Sequence, residues 1–190
     1  HRSKLHPLPG SMSALPANRV LIAPGAAHAT KQWPVEKFLQ VARLLVSRLD
    51  LHILWAAVSQ DRLSPEILAS FGPNLTELID CPLTLLAPML ADSRAAITND
   101  SGLMHLASAV GAPVVSIFGP THASLGFSPR GLHDRVVEVD EYCRPCSLHG
   151  NKPCFRTEQF CFTRISPEMV VERASSVLKA PLRKAIFFDR

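Results

Sequence analysis

From Arg19 onward, short apolar runs alternate with longer stretches whose apolar positions recur every three or four residues. Val20–Ala23 has the length and composition of a buried strand and is stopped by Pro24-Gly25. Pro34 then stands at the first turn of a helix carried by Phe38, Val41, Leu44, Leu45 and Leu49 as far as Asp50. The unit repeats, with Leu51–Ala57 as strand and Ser64–Phe71 as helix, where Ser64 can cap and Pro65 can open. Leu75–Ile79, a helix over Pro82–Leu90, Ala95–Thr98, a helix over Gly102–Val110, Val114–Phe118 and Val136–Val139 continue the pattern. A last amphipathic helix opens at Ile165-Ser166-Pro167-Glu168. Short buried strands separated by single helices are the sequence form of right-handed βαβ crossovers. The pattern therefore predicts an α/β domain, a Rossmann-like doubly wound parallel sheet, which binds its ligands outside the carboxyl ends of its strands.

Composition narrows the class of partner. With 190 residues, 47% apolar and 19% charged, the chain can close a full core. Its longest apolar runs, such as Ala109–Val115 and Ala185–Phe188, fall far short of the ~20 residues that span a bilayer. The amino terminus carries no apolar secretion segment, so a cytoplasmic location is expected, with at most peripheral contact at the inner face of a membrane. The net charge of +4 comes from scattered Lys and Arg, which suits an anionic ligand. Nucleic acid is not expected, because no basic run is interleaved with aromatics and Phe, Trp and Tyr make up only 6% of the chain. Residues 1–18, with four prolines or glycines and no periodic pattern, read as a linker or a cloning remnant, leaving a domain over 19–180.

The loops after the strands hold the candidate chemistry. Pro24 to Pro34 is rich in small residues, so backbone N–H groups can approach a phosphate, and Thr30 and Lys31 add a hydroxyl and a mobile cation. A plain connecting loop with a solvated lysine is the alternative. After the second strand, Asp61 offers a carboxylate where doubly wound folds hold a ribose, or else one that satisfies backbone N–H groups. Thr98-Asn99-Asp100-Ser101-Gly102-Leu103-Met104-His105 is the most informative segment. A buried strand runs straight into a helix whose first N–H groups point beyond the sheet edge. Gly102 removes a side chain from that approach and Ser101 can donate to an oxygen. Asp100 needs a sugar hydroxyl, a backbone N–H or a cation if a phosphate lies beside it. His105 follows one turn after Ser101 on the same face and can bond Asp100, a sugar or a phosphate. The alternative is a capped core helix with a partly buried histidine. Thr121, after Phe118-Gly119-Pro120, brings a second phosphate-compatible edge.

These residues carry a resemblance. Pro24-Gly25 followed by Lys31-Gln32-Trp33-Pro34, the Thr98–His105 motif and Phe118-Gly119-Pro120-Thr121 occur in the order found in the glycosyltransferase family nine heptosyltransferases. The resemblance covers about Arg19 to Leu178 and implies the carboxyl-terminal half of a GT-B glycosyltransferase, binding ADP-heptose in a cleft that faces an acceptor domain not included here. It implies that Lys31 and Thr30 neutralise the diphosphate and that Ser101, Gly102 and Leu103 give it hydroxyl and backbone donors. Asp100 and His105 would hold the sugar and its neighbours. Asp61 falls where the family places its nucleoside-binding acid, with Gln60-Asp61 replacing a Glu-rich stretch. The implied reaction is an inverting transfer of heptose to the lipopolysaccharide inner core, with no obligatory metal or other cofactor. The catalytic base would come from the acceptor domain, so these 190 residues are expected to bind donor without turnover.

Two features lie outside that frame. Cys143, Cys146, Cys154 and Cys161 have the spacing C-x2-C-x7-C-x6-C across segment 143–161, which allows a structural zinc or an iron–sulfur cluster, with free thiols or disulfides as the alternatives. Residues 181–190 read as a linker and a new apolar strand ending at Asp189, similar to the first strand of haloacid-dehalogenase-type phosphatases. That likeness points to a following domain in a bifunctional heptose-pathway polypeptide. Two other functions remain compatible with the residues: a GT-B transferase using another nucleotide sugar, and a nucleotide- or metal-binding module without chemistry. A dinucleotide oxidoreductase is disfavoured because no G-x-G-x-x-G follows the first strand.

Overall fold

A computed structural model describes residues 15–179. The proposed phosphatase-like start at 181–190 and most of the 1–18 linker lie outside the described residues.

Six strands form one sheet: β1 (Arg19–Ala23), β2 (His52–Ala57), β3 (Leu75–Ile79), β4 (Ala95–Asn99), β5 (Val114–Ile117) and β6 (Arg135–Val137). Their order is β3-β2-β1-β4-β5-β6, and every neighbouring pair is parallel. The expected doubly wound sheet is present. Each predicted strand and helix is found within one or two residues of its expected bounds; β6 ends at Val137 rather than Val139. The reversal of order falls between β1 and β4, which places the topological switch point at the loops after Ala23 and Asn99.

The sheet is covered on both faces, which is why its strands read as continuous apolar runs. Val20 and Ile22 of β1 pack with Phe38, Val41 and Leu45 of helix α1 (Val35–Leu49) and with Val170, Ala174 and Val177 of helix α6 (Pro167–Leu178). Leu21 and Ala23 point the other way, toward Leu86, Met89 and Leu90 of helix α3 (Leu83–Ala91) and Met104 and Ala107 of helix α4 (Gly102–Ala109). Ser64 caps helix α2 (Pro65–Phe71) through Ile67 N, as its position before Pro65 predicts. Trp55, inside β2, is fully buried in the core.

One helical turn escaped the periodicity because it is too short to show any. Helix α5 (Phe160–Thr163) leans its Phe162 ring onto Gly119, where a β-carbon would stand 2.6 Å from the ring's Cε1. Its carboxyl end receives Trp33 Nε1 at 3.2 Å on Phe162 O and Lys37 Nζ at 2.8 Å on Thr163 O and 2.7 Å on Ile165 O. An ammonium at the end of a helix satisfies orphan carbonyls and complements the dipole. The loop after β1 is thereby joined to the far end of the chain.

Candidate functional site

The first turn of α4 is aimed out of the sheet edge with its donors unused. Ser101 is extended, and its side chain makes no capping bond. Its Oγ is buried and meets no hydrogen-bond partner among the described residues. The capped core helix is therefore not what the chain builds; a free hydroxyl and the leading N–H groups face the same space.

Two compartments meet at this helix start. The larger, about 530 Å³, lies above the ends of β1, β2 and β3 and is walled by Pro24, Gly25, Leu78, Leu83, Leu86 and Leu103, with Gln60 and Asp61 at its edge. The smaller, about 170 Å³, is bordered by Lys31, Asp100, His105, Phe127, Leu148 and His149. Ala27, Ser101 and Gly102 border both. The chain thus forms a mostly apolar chamber and a smaller one of mixed lining that holds the charged groups, joined over a helix amino terminus.

Asp100 and Lys31 form a nearly dry ion pair, Nζ to Oδ2 2.7 Å, with the lysine side chain 14% and the aspartate 7% exposed. Thr121 Oγ donates to the same Oδ2 at 2.8 Å. The carboxylate that is awkward beside a phosphate is thus held by a cation and a hydroxyl. His105 is exposed, borders the smaller compartment, and makes no hydrogen bond to Asp100.

The remaining predicted residues divide by position. Leu103 and Asp61 border the larger compartment, Asp61 also lying on the ridge to a neighbouring groove between α1 and α2. Thr30 and Thr121 border neither: Thr30 Oγ donates to Gly150 O, and Thr121 is buried against Asp100. Their hydroxyls act on other protein groups in this structure, which places them behind the site.

Several site-forming residues were not read from the sequence. Asn99 Oδ1 accepts from Trp33 N at 3.1 Å and its Nδ2 donates to Pro24 O at 2.5 Å, tying β4 to the loop after β1. Asp80 accepts from Ser59 N at 3.1 Å and from Ser59 Oγ, joining the loops after β2 and β3. Arg144 donates to Gly119 O at 2.5 Å and Thr121 O at 2.7 Å and pairs with Glu138 at 2.7 Å, fixing the loop after β5. Gln159 Nε2 donates to Thr30 O at 2.7 Å. The Asn in the Thr98–His105 motif was a signal in plain sight; the others act across sequence distances that leave no local pattern.

The four cysteines of segment 143–161, for which the spacing allows either a structural metal or free thiols, come together in space. Cys143, Cys146, Cys154 and Cys161 border one small void beside Pro120 and Arg156, yet no group of three or more His, Cys, Asp or Glu side chains among the described residues is arranged to hold a metal. Burial pushes the Cys146 and Cys161 thiols up, Cys161 to about 11, so both stay protonated at neutral pH. No disulfide joins any of the cysteines.

A six-stranded, all-parallel doubly wound sheet covered by helices on both faces is an α/β fold of the GT-B kind. The chain belongs to glycosyltransferase family 9 (heptosyltransferase), whose model matches residues 5–153. It is 28% identical over 201 residues to lipopolysaccharide heptosyltransferase 1 of Pseudomonas aeruginosa, covering 93% of this chain and 56% of that protein. Lipooligosaccharide heptosyltransferase 2 of Campylobacter jejuni is 29% identical over 161 residues, covering 82% and 50%. The chain spans about half the length of the curated relatives it matches. The fold is that of the E. coli ADP-heptose lipopolysaccharide heptosyltransferase II structure, with TM-score 0.67 and 22% identity over 87% of this chain and 48% of that one. A family 9 glycosyltransferase structure from Veillonella parvula gives TM-score 0.64 at 25% identity. No helix among the described residues is long and apolar enough to cross a membrane.

Proposed function

We propose that this chain is the donor half of an inverting heptosyltransferase, binding ADP-heptose for transfer to the lipopolysaccharide inner core. One observation carries the reading: a larger, mostly apolar chamber and a smaller one of mixed lining share the amino terminus of α4, with Lys31 beside it. That is the shape of a nucleoside, a diphosphate and a sugar laid end to end. The adenosine would occupy the larger chamber with its ribose toward Asp61, and the sugar the smaller one beside Asp100 and His105. Ser101 Oγ, the Gly102 and Leu103 N–H groups and Lys31 would take the diphosphate between them.

This placement suits the chemistry. As the anomeric C–O bond breaks, negative charge grows on the departing diphosphate. Fixed donors and a cation at that point stabilise the transition state more than the ground state. The acceptor hydroxyl, arriving from the opposite side of the sugar, needs a base within roughly 3 Å. No described carboxylate is placed there by the arrangement above, and the base belongs to the acceptor half, at the cytoplasmic face where the lipid-linked acceptor is met. The reaction so written calls on no metal.

Calorimetric titration with ADP, UDP and NAD tests the reading. Binding of ADP in preference to the other two supports it, a preference for UDP moves the assignment to another nucleotide sugar, and binding of none removes it. Heptose transfer by these residues alone would contradict the division of labour.

A further inference from the structure

The smaller chamber has a wall that the reaction as described does not use. Its inner side is Lys31, Asp100, Ser101 and His105, but its outer side is Phe127, Leu148 and His149, contributed by the loop after β5 and by the cysteine-rich segment. Phe127 and Leu148 are 40% and 53% exposed, an unusual placement for apolar side chains at the rim of a recess that holds charged groups. The rings of Phe127 and His149 lie 5.9 Å apart at 52° to each other, and no hydrogen bond engages the His149 imidazole among the described residues.

The segment behind this wall is tied to its neighbours through the backbone. Gly150 follows His149 with φ of +72°, and a β-carbon there would overlap the Cγ and Cδ of Lys31, so the hairpin lies directly against the lysine stem. Gly150 O accepts from Thr30 Oγ, and Gly150 N donates to Ser147 Oγ at 2.6 Å. Cys146 N donates to Pro120 O at 2.9 Å, anchoring the other arm of the hairpin to the loop after β5. Both ends of the wall are therefore tied to the loops that place Lys31 and Thr121. A recess of about 170 Å³ is below the usual range of roughly 300–1,000 Å³ for drug-sized ligands, and its mixture of hydroxyl-binding groups on one side and flat C–H-facing rings on the other fits one monosaccharide unit.

The geometry points to His149, backed by Phe127 and Leu148, as a specificity-determining residue for the sugar of the nucleoside diphosphate donor. This rests on the donor-binding reading above. The ring faces cover the C–H face of the sugar, and the unengaged imidazole nitrogens bond its hydroxyls, so the wall recognises sugar and not nucleotide.

The test is calorimetric titration of the full chain and its variants with ADP and with ADP-heptose, reading the ratio of the two dissociation constants. His149→Ala is expected to reduce the preference for ADP-heptose over ADP at least fivefold, and Phe127→Ala to reduce it in the same direction. Both positions are exposed or at the rim, and a melting curve confirms that the variants fold. If wild-type chain binds ADP and the ratio is unchanged in both variants, the wall plays no part and the inference falls while the donor reading stands. If wild-type chain binds neither compound, the donor reading fails and this inference with it.

Discussion

The two chambers that meet at α4 are built in different ways. The larger is made by consecutive βα loops, those after β1, β2 and β3, each a few residues from the strand that aims it. The smaller takes its inner side from the loop after β1 and the start of α4, but its outer side from a hairpin about 120 residues from Lys31. The first chamber is a by-product of the fold, since any doubly wound sheet leaves a crevice at its switch point. The second exists only because a long irregular segment is stitched back over the sheet edge by Arg144, Gln159 and Gly150. On the proposed reading, nucleotide recognition is attached to the general architecture, and sugar recognition to an addition that can vary without disturbing the strands.

The largest effect that bears on this contrast is expected at the junction. Lys31→Ala should weaken ADP and ADP-heptose alike by about 10- to 100-fold, since a charge-assisted hydrogen bond is worth roughly 1.5–3 kcal/mol. A loss confined to ADP-heptose would put the lysine in the sugar chamber only. Gly150→Ala comes next. The added carbon displaces the Lys31 stem and strains a positive φ, so both compounds should bind about five- to tenfold more weakly, at a cost of order 1–3 kcal/mol in strain if the hairpin cannot shift. A melting temperature lowered without any change in binding would leave the hairpin as mere covering.

A smaller effect separates the chambers from the other side. Leu83, 61% exposed at the edge of the larger chamber, should on Leu83→Asp weaken adenosine and ADP by about threefold to fivefold, through lost apolar cover in both and added charge repulsion in ADP. The increment gained by adding the sugar should not change. The smallest effect is chemical. Because Cys161 is held protonated up to about pH 11, its alkylation should be slow at pH 7 and rise about tenfold per pH unit toward that value. Rapid reaction at neutral pH would mean a thiolate, stabilised by far more than the nearby Arg144 charge supplies.

The same contrast explains what could be read in advance. All six strands and the five longer helices follow from apolar periodicity, because burial on both faces of a parallel sheet leaves runs that a one-dimensional pattern preserves. Asp100, Ser101 and Gly102 could be picked out for the same reason, since they directly follow the end of β4, and Lys31 because it lies in the loop that joins β1 to α1. The roles of Thr30 and Thr121 were harder, since a hydroxyl beside a phosphate loop looks the same whether it faces ligand or turns back to Gly150 O or Asp100. Arg144 is the clearest case of an unreadable residue. A single arginine in a cysteine-rich stretch gives no hint that it gathers the carbonyls of residues 119 and 121. The cysteine spacing left several outcomes open, because C-x2-C fixes only local separation and the arrangement of four sulfurs depends on a fold with no repeat.

A crystal structure of the chain with ADP-heptose bound tests the central claim most directly. The account predicts the diphosphate oxygens within hydrogen-bond distance of Ser101 Oγ, Gly102 N and Lys31 Nζ, with adenine against Leu78 and Leu86 and the sugar between Asp100 and His149. A diphosphate lodged away from the start of α4, or a sugar lying in the larger chamber, would contradict it.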